Sequence, residues 1–374
     1  MISLSKMIHN EATVSSILLY GKEDQKIPEK LVNFVRSGRP IVVWNLTKKC
    51  NLRCIHCYAS AENENSKELD FASCIEVVNR LADFKVPVIL FSGGEPLLRQ
   101  DIFEIAAYAR RKGIKCVLST NGTLINKENY EDLKVFDYVG VSLDGVGKVN
   151  DFFRGVENAF EAALNGLKLA REVTLTGIRF TVTRYNYSEL GEILKLAREN
   201  DIPRFCLYHL VPSGRAEFSD DIDNKTRRKL MDFLICEAEK DGLEILTVDN
   251  PADGVYAYLK TKDEDVLEFL KYRGGDGSGQ RIICVDFKGQ IHPNQFWWDY
   301  TAGNILKDDL LKIMSEDELF VMLRRKKEFL KGKCGICKYK EICGGFRVRA
   351  YRYGDVWGED PSCYLQMDEI AAKI

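Results

Sequence analysis

The stretch that decides the fold is KCNLRCIHCY, residues 49 to 58. Its three cysteines, Cys50, Cys54 and Cys57, follow a C-x3-C-x2-C spacing. Thiolates are the usual ligands of iron–sulfur clusters, and four of them normally saturate one [4Fe–4S] cluster. Three thiolates leave one iron open to an exogenous ligand, which is typical of a catalytic metal rather than a structural one. The alternatives are a zinc site that borrows a distant ligand and a group of core thiols.

Around this stretch, short apolar runs alternate with segments of helical periodicity. Continuous apolar strands that alternate with amphipathic helices predict a parallel sheet covered by helices. We therefore predict an α/β fold, a partial (β/α)6 barrel from about residue 38 to about residue 212. The predicted strands are 41–44, 86–91, 115–119, 138–143, 175–182 and 204–209, and the predicted helices are 71–84, 101–112, 156–171 and 188–200.

The rest of the chain divides around the barrel. We expect an N-terminal segment over 1–37, a helical connecting region over 213–280 and a C-terminal cysteine domain over 281–374. A glycine-rich stretch at 274–279 marks the approach to the C-terminal domain.

Composition limits the class of protein. The 374 residues carry a net charge of −2 and contain 12 cysteines. This charge gives no reason to expect nucleic acid or an anionic membrane as a partner. No apolar run approaches the roughly 20 residues that span a bilayer, and the N-terminus lacks the pattern of a secretory signal. We therefore expect a cytoplasmic protein whose cysteines are not paired as disulfides.

A second group of cysteines lies near the C-terminus. Cys334, Cys337, Cys343 and Cys363 supply four thiolates, a number that saturates one cluster. Because C-x2-C pairs also form zinc ribbons, zinc is the alternative metal at this group.

The first cysteine motif followed by Tyr58, together with Gly93-Gly94-Glu95-Pro96, resembles the radical S-adenosylmethionine (SAM) superfamily. The resemblance implies that SAM chelates the open iron and that its reductive cleavage gives a 5′-deoxyadenosyl radical. Asn121-Gly122 and Asp144-Gly145 are equally consistent with plain turns. The residues expected to contact SAM are Gly93, Gly94, Glu95, Ser119, Asn121, Ser142, Asp144 and Arg154.

The second cysteine group resembles the C-terminal extension of radical SAM enzymes that is called SPASM. The full extension holds two auxiliary clusters, but Asn294 and Arg347 stand at two positions where further cysteines are expected. The resemblance thus implies a single auxiliary [4Fe–4S] cluster, two clusters in all, and an electron-transfer role for the second one. Cys284 is left as a spare thiol or a catalytic residue on the substrate side.

Four later segments resemble the tetrapyrrole-modifying branch of the superfamily: 208–215, 248–254, 274–279 and 292–297. This resemblance implies removal of acetate side chains from 12,18-didecarboxysiroheme to give Fe-coproporphyrin III, with a ferredoxin or flavodoxin as the electron donor. Oxidative decarboxylation of Fe-coproporphyrin III and a step towards heme d1 remain open. His209 ends the sixth predicted strand, where we expect it to face the cavity as a catalytic residue. Both His209 and His292 are candidates to bind the substrate iron or to supply a proton. Candidate carboxylate partners are Arg204, Arg215, Arg347, Arg349 and Arg352, and candidate stacking partners are Phe296, Trp297 and Trp298.

Two other classes of protein compete with this interpretation. A radical peptide maturase shares the barrel and the C-terminal cysteines, but we expect a peptide-recognition domain ahead of its barrel, and only about forty residues precede the barrel strand here. A non-catalytic iron–sulfur electron carrier has no use for an open iron beside a Gly-Gly-Glu-Pro loop.

Overall fold

The computed structural model describes residues 1–9, 38–62, 67–240, 242–273 and 275–371. Most of the expected N-terminal segment, residues 10–37, and Gly274 of the glycine-rich stretch lie outside the described residues. The strands of the described chain are β1 (Ile2–Ser3), β2 (Ile41–Thr47), β3 (Val88–Gly93), β4 (Lys115–Thr120), β5 (Tyr138–Ser142), β6 (Thr176–Val182), β7 (Arg204–His209), β8 (Glu244–Val248), β9 (Ile282–Val285), β10 (Gln290–His292) and β11 (Gly303–Asn304).

Helices lie between most of the strands. In chain order they are α1 (Leu4–His9), α2 (Phe71–Asp83), α3 (Ile102–Arg111), α4 (Lys148–Arg154), α5 (Ala159–Val173), α6 (Leu190–Glu199), α7 (Asn224–Ala238), α8 (Ala252–Thr261), α9 (Glu264–Arg273), α10 (Leu310–Glu316), α11 (Glu318–Arg324), α12 (Gly332–Ile336), α13 (Arg347–Arg352) and α14 (Met367–Ile370). None of those that the structure describes is both long and apolar enough to cross a bilayer.

One sheet runs through the described chain in the order β1-β8-β7-β6-β5-β4-β3-β2-β9-β10-β11. Strands β2 to β7 are parallel neighbours in sequence order, as the alternating pattern predicted. The six predicted strands and four predicted helices are all present, with ends shifted by up to three residues. Parallel strands need their faces covered on both sides, which explains why their sequences are apolar throughout.

The sheet extends beyond the six predicted strands. The connecting region 213–280 is not only helical, because it contains β8, which pairs in parallel with β7. On the other edge, β9 pairs in parallel with β2, so Ile282–Val285 of the expected C-terminal domain is hydrogen-bonded to the barrel. β10 and β11 continue this edge as antiparallel strands.

The two faces of the sheet have different roles. The outward-facing residues of β2 to β7 form a buried core with the helices; Trp44, Phe91 and Phe180 are fully buried there. The inward-facing residues line a cavity of about 260 Å³ inside the barrel. Because the carboxyl ends of the parallel strands meet at one rim, the loops after β2, β3, β4 and β5 converge there.

Candidate active site

The loop after β2 carries the first cysteine group. Cys50 and Cys54 are buried, and Cys57 is partly exposed. Each sulfur accepts a hydrogen bond: Cys50 from the backbone N–H of Leu52 at 3.4 Å, Cys57 from that of Ala61 at 3.4 Å, and Cys54 from the Arg154 guanidinium at 3.6 Å. Such donors stabilise negatively charged sulfur.

The thiols of this loop need a metal in order to ionise. Burial raises the pKa of the Cys50 thiol to about 12, so a metal is needed to hold it as a thiolate at neutral pH. In an iron–sulfur cluster each thiolate binds a different iron.

Gly93 and Gly94 bring the loop after β3 into contact with the cysteine loop. The backbone N–H of Gly94 donates to Thr47 O at 2.7 Å, and that of Glu95 donates to Lys49 O at 2.8 Å. A Cβ on Gly93 would lie 2.3 Å from Thr47 O, and one on Gly94 would lie 2.0 Å from Lys49 O. Side chains are therefore excluded at both positions, and the two loops are fixed to each other through the backbone.

The Glu95 carboxylate is hydrogen-bonded to the protein, mainly to the loop after β4. Its side chain is fully buried. Oε1 accepts from Thr120 Oγ1 at 2.7 Å and from Leu97 N at 3.0 Å, and Oε2 accepts from Asn121 N at 2.7 Å. Burial raises the pKa of Glu95, although these donors act in the opposite direction. Glu95 thus fixes the loop after β4 against the loop after β3.

Asn121 connects two loops and forms a turn. Its Nδ2 donates to Asn51 Oδ1 at 2.9 Å in the cysteine loop, and its Oδ1 accepts from Thr123 N at 2.9 Å. The Asn121 side chain therefore takes part in a turn, which was one of the two roles that the sequence allowed for Asn121-Gly122. Ser119 and Ser142 are partly exposed near the carboxyl ends of β4 and β5.

Asp144 and Arg154 form a buried ion pair behind the cysteine loop. Arg154 Nη2 lies 2.5 Å from Asp144 Oδ2, and His56 Nε2 lies 3.2 Å from the same oxygen. Burial alone would raise the pKa of Asp144, but the Arg154 and His56 side chains hold it below its ordinary value. Asp144 Oδ1 accepts from Thr181 N at 2.7 Å, which ties the pair to β6.

Polar atoms without partners surround this ion pair. His56 Nδ1, Asn150 Nδ2 and Arg154 Nε are buried and have no hydrogen-bond partner. Leaving such atoms unpaired costs about 1–3 kcal/mol each, so they fit the amino, carboxylate and hydroxyl groups of SAM beside the three thiols.

His209 does not face the cavity, contrary to the sequence-based expectation. Its side chain is fully buried on the outer face of β7, where Nε2 lies 2.8 Å from Asp253 Oδ2. Nδ1 accepts from Arg227 Nε at 3.3 Å, so Nε2 must carry the proton that it donates to Asp253. Tyr364 Oη donates to the other oxygen of Asp253 at 2.8 Å. Both ring nitrogens are engaged, which leaves none to bind iron.

Cys284 lies on β9, directly opposite Val43 of β2. Its sulfur accepts from Asn45 Nδ2 at 3.3 Å. Asn45 Oδ1 accepts from Tyr58 Oη at 2.9 Å, and the same hydroxyl lies 3.1 Å from Ser92 Oγ. Burial raises the pKa of Cys284 well above its usual value, which favours the neutral thiol.

The second cysteine group shares one small cavity. Cys334, Cys337, Cys343 and Cys363 all line it. Arg347, which stands at an expected cysteine position, is fully buried and lies with Nη2 3.6 Å from Cys334 Sγ. The guanidinium also donates to Val356 O at 3.0 Å and Gly358 O at 2.7 Å. Four thiols around one cavity with a buried cation beside them fit one anionic cluster.

The other candidate arginines contact the protein itself. Arg204 lies 3.6 Å from Glu244 Oε2 and over the ring of Tyr138, and Arg215 donates to Cys54 O at 2.8 Å. The fully buried Arg349 donates to Asp249 O at 2.8 Å and to Leu210 O at 3.1 Å. Arg352 donates to Asp299 Oδ2 at 3.2 Å. Of the three aromatic candidates, Trp297 is buried against Tyr351, and Phe296 and Trp298 each pack against the ring of Tyr58.

Arg179 and Asp249 are among the charged residues of the cavity that the sequence analysis did not identify. Arg179, on β6, and Asp249, directly after β8, both line the cavity. The available signal at Arg179 was a cation within an otherwise apolar parallel strand, which is costly unless it serves a ligand. Asp249 lies in a segment that was noted only for its resemblance.

Comparisons with known proteins agree with this geometry. Residues 44–212 match the model of the Radical SAM superfamily. The chain is 42% identical to Fe-coproporphyrin III synthase of Methanosarcina barkeri over 99% of both chains. It is 39% identical to pre-heme d1 synthase of Dinoroseobacter shibae over 89% of this chain and 88% of that one. It is 32% identical to AdoMet-dependent heme synthase of M. barkeri over 86% and 95% of the two chains.

Solved structures show the same fold. The crystal structure of Streptococcus suis SuiB bound to S-adenosylmethionine superposes with a TM-score of 0.71 at 23% identity, over 88% of this chain and 78% of that one. With the three-thiol loop, the glycine contacts and the whole-length relatives in place, the chain belongs to the radical SAM superfamily of enzymes, in the group that includes Fe-coproporphyrin III synthase and the AdoMet-dependent heme synthases.

Proposed function

We propose that this enzyme removes the two acetate side chains of 12,18-didecarboxysiroheme and so forms Fe-coproporphyrin III. The observation that carries the proposal is the 42% identity to Fe-coproporphyrin III synthase over 99% of both chains. That match spans both cysteine groups as well as the barrel interior.

The barrel cavity supports a substrate of this class. One wall is apolar and includes Val43, Leu90 and Val117, and the opposite wall carries polar groups that include Arg179 and Tyr208. A tetrapyrrole is a flat apolar ring with carboxylate arms. An apolar wall suits the ring face, and a guanidinium suits a carboxylate because it offers two parallel donors.

In the proposed mechanism the chain positions the reactants. When bound, the three-thiolate cluster and SAM supply a 5′-deoxyadenosyl radical that removes a hydrogen atom from the substrate. Gly93 and Gly94 fix the two loops that flank SAM, and Glu95 holds the third loop in place. Arg154 stabilises the Cys54 thiolate and the Asp144 carboxylate together. Tyr58 packs against Phe296, with ring centroids 5.3 Å apart, and shields the reaction from water.

We further propose that Cys334, Cys337, Cys343 and Cys363 hold one auxiliary [4Fe–4S] cluster. Four thiolates saturate such a cluster and leave no iron for the substrate, which favours electron transfer. A small donor such as a ferredoxin or flavodoxin would reduce the first cluster. Cytoplasmic localisation is part of the same proposal, since the reductants and the unprotected clusters belong to a reducing compartment.

A second candidate is the oxidative decarboxylation of Fe-coproporphyrin III, favoured by the 32% identity to AdoMet-dependent heme synthase. A step towards heme d1 is a third, given the 39% identity to pre-heme d1 synthase.

The test is anaerobic turnover of the reconstituted enzyme with 12,18-didecarboxysiroheme and with Fe-coproporphyrin III in parallel, read by product mass. We expect loss of two acetate units from the first compound and no change in the second. Carboxyl loss from Fe-coproporphyrin III would instead establish the heme synthase reaction. Cys50→Ala is the control and must give neither product.

A further inference from the structure

The barrel cavity contains a cation that the fold leaves without a partner. Arg179 projects from the inner face of β6, and its guanidinium carbon lies 4.4 Å from the centre of the Tyr208 ring. Among the described residues, neither a carboxylate nor a carbonyl pairs with this guanidinium. Gly140 makes room for the side chain, because a Cβ there would lie 2.8 Å from Arg179 Cδ. A partly exposed cation that lies over an aromatic ring in a cavity, without a hydrogen-bonded counter-ion, is arranged to receive an anion.

The other cations of the cavity are already occupied. Arg281 donates to Tyr272 O at 3.0 Å and to Gly275 O at 3.1 Å. Arg204 lies beside Glu244. Lys115 and Met1, which also line the cavity, each have an interaction partner within the protein. Arg179 is therefore the cation of the described cavity wall that remains to bind a ligand.

Asp249 lies in the same cavity and is also unsatisfied. Its Oδ2 is buried and has no hydrogen-bond partner. The residue has a φ of +66°, a left-handed conformation that costs energy for a side chain other than glycine. Arg349 holds this conformation by donating to Asp249 O at 2.8 Å. A strained backbone conformation is thus maintained at a residue whose side chain lines the cavity.

We propose that Arg179 and Asp249 form a carboxylate-binding subsite inside the barrel, in which the Arg179 guanidinium pairs with a carboxylate arm of the substrate and the Asp249 carboxyl donates a hydrogen bond to the same arm. The inference rests on the proposed function and names the residues that recognise the polycarboxylate. The alternation of β6 and β7, which turns Arg179 and Tyr208 inward, places the subsite beneath the rim where the SAM loops converge.

The protonation state of Asp249 supports this arrangement. Burial raises its pKa to about 7 against the opposing effects of the Met1 amino group, Arg349 and Arg179. A carboxylate ligand favours the protonated form further, since two carboxylates in one site cannot both stay ionised. The titratable and charged groups that face Asp249 are Arg179 on β6, Tyr208 on β7, Arg349 on α13, Asp276 before β9 and the Met1 amino group.

The test is anaerobic equilibrium dialysis of the two-cluster holoenzyme against Fe-coproporphyrin III, a tetracarboxylate tetrapyrrole. We expect Arg179→Gln to weaken binding by about ten- to a hundredfold, the size of a lost charge-assisted pair, with Arg179→Lys in between. The matched control is Arg171→Gln, the same change at an exposed residue on α5. Iron content must be unchanged in each variant.

A pH series separates the role of Asp249. Wild-type binding should weaken as pH rises from 6 to 8.5, because the ionised Asp249 repels the ligand, whereas Asp249→Asn should bind with little pH dependence. Equal binding by wild type and Arg179→Gln overturns the subsite while leaving the proposed function intact. A wild type that binds no tetrapyrrole overturns the substrate class and the subsite together, and a pH profile unchanged in Asp249→Asn removes Asp249 from the subsite.

Discussion

Replacement of His209 by Ala tests whether this residue is structural or takes part in the reaction. The change leaves the fully buried Asp253 carboxylate without its 2.8 Å donor, at a cost of about 2 kcal/mol. It also removes the 3.3 Å contact of Arg227 and leaves a void, each worth about 1 kcal/mol. The expected loss of stability is about 4 kcal/mol.

For a chain of 374 residues, an unfolding entropy of about 2 cal/mol/K per residue converts this loss into a fall of about 5 °C in the thermal midpoint. Anaerobic circular dichroism measures it. His209→Gln, whose amide N–H reaches the position of Nε2, should recover about half of the loss. Formation of 5′-deoxyadenosine per loaded cluster should stay at the wild-type level. A His209→Ala variant with an unchanged midpoint but an altered absorption spectrum of the bound substrate iron would refute this reasoning.

Four further outcomes are expected. Gly94→Ala places a Cβ 2.0 Å from the backbone of the cysteine loop, so retained iron and SAM cleavage should fall at least about tenfold. The control is Gly191→Ala, whose Cβ meets nothing within 4 Å. Equal iron content in the two variants would contradict the close contact between the loops. Cys363→Ala should lower iron from about eight to about four atoms per chain while SAM still binds; unchanged iron would remove Cys363 from the ligand set. Arg347→Gln should shift the reduction potential of the auxiliary cluster to a more negative value in an EPR-monitored titration, because a positive charge beside Cys334 is lost. Arg347→Lys should shift it less. Equal reduction potentials in wild type and Arg347→Gln would contradict this prediction. Asp249 has a folded pKa of about 7 against an ordinary 3.8, so its contribution to stability is complete below about pH 4 and is lost as pH rises through 7. This loss amounts to up to about 4 kcal/mol in the free energy of unfolding, and Asp249→Asn should not show it when unfolding in urea is measured across this pH range. Parallel pH profiles for wild type and variant would contradict the prediction.

The sequence predicted the β2–β7 barrel well because its strands are short apolar runs that alternate with longer amphipathic segments, and this difference in length separates strands from helices. It missed β8, whose five residues lie within the connecting region 213–280 that was predicted to be helical. It also misplaced His209. Both faces of a parallel strand are buried, so the residue pattern does not reveal which face is inward. Once Tyr208 is known to face the cavity, the two-residue period places His209 on the outside.

The residues predicted to contact SAM show the same division. Gly93 and Gly94 lie where two loops approach each other through their backbones, and glycine is the residue that permits such an approach. Glu95, Asn121 and Asp144 carry the chemistry of ligands, yet each is engaged mainly with the protein through contacts between loops distant in sequence. Such long-range contacts leave no local pattern. Asp249 was missed because nothing local marks its place in the cavity, whereas the cation within the strand at Arg179 was a signal that was not used.

The pairing of β9 with β2 limits where the chain can be divided. A C-terminal domain that contacts its neighbour only loosely can be removed or exchanged as a unit, but here Ile282–Val285 is hydrogen-bonded in register to the strand that leads into Cys50. A truncation near residue 280 would expose an unprotected sheet edge beside the catalytic loop and invite aggregation. The C-terminal region therefore continues the barrel sheet at the β2 edge, and the two parts of this enzyme have to be engineered together.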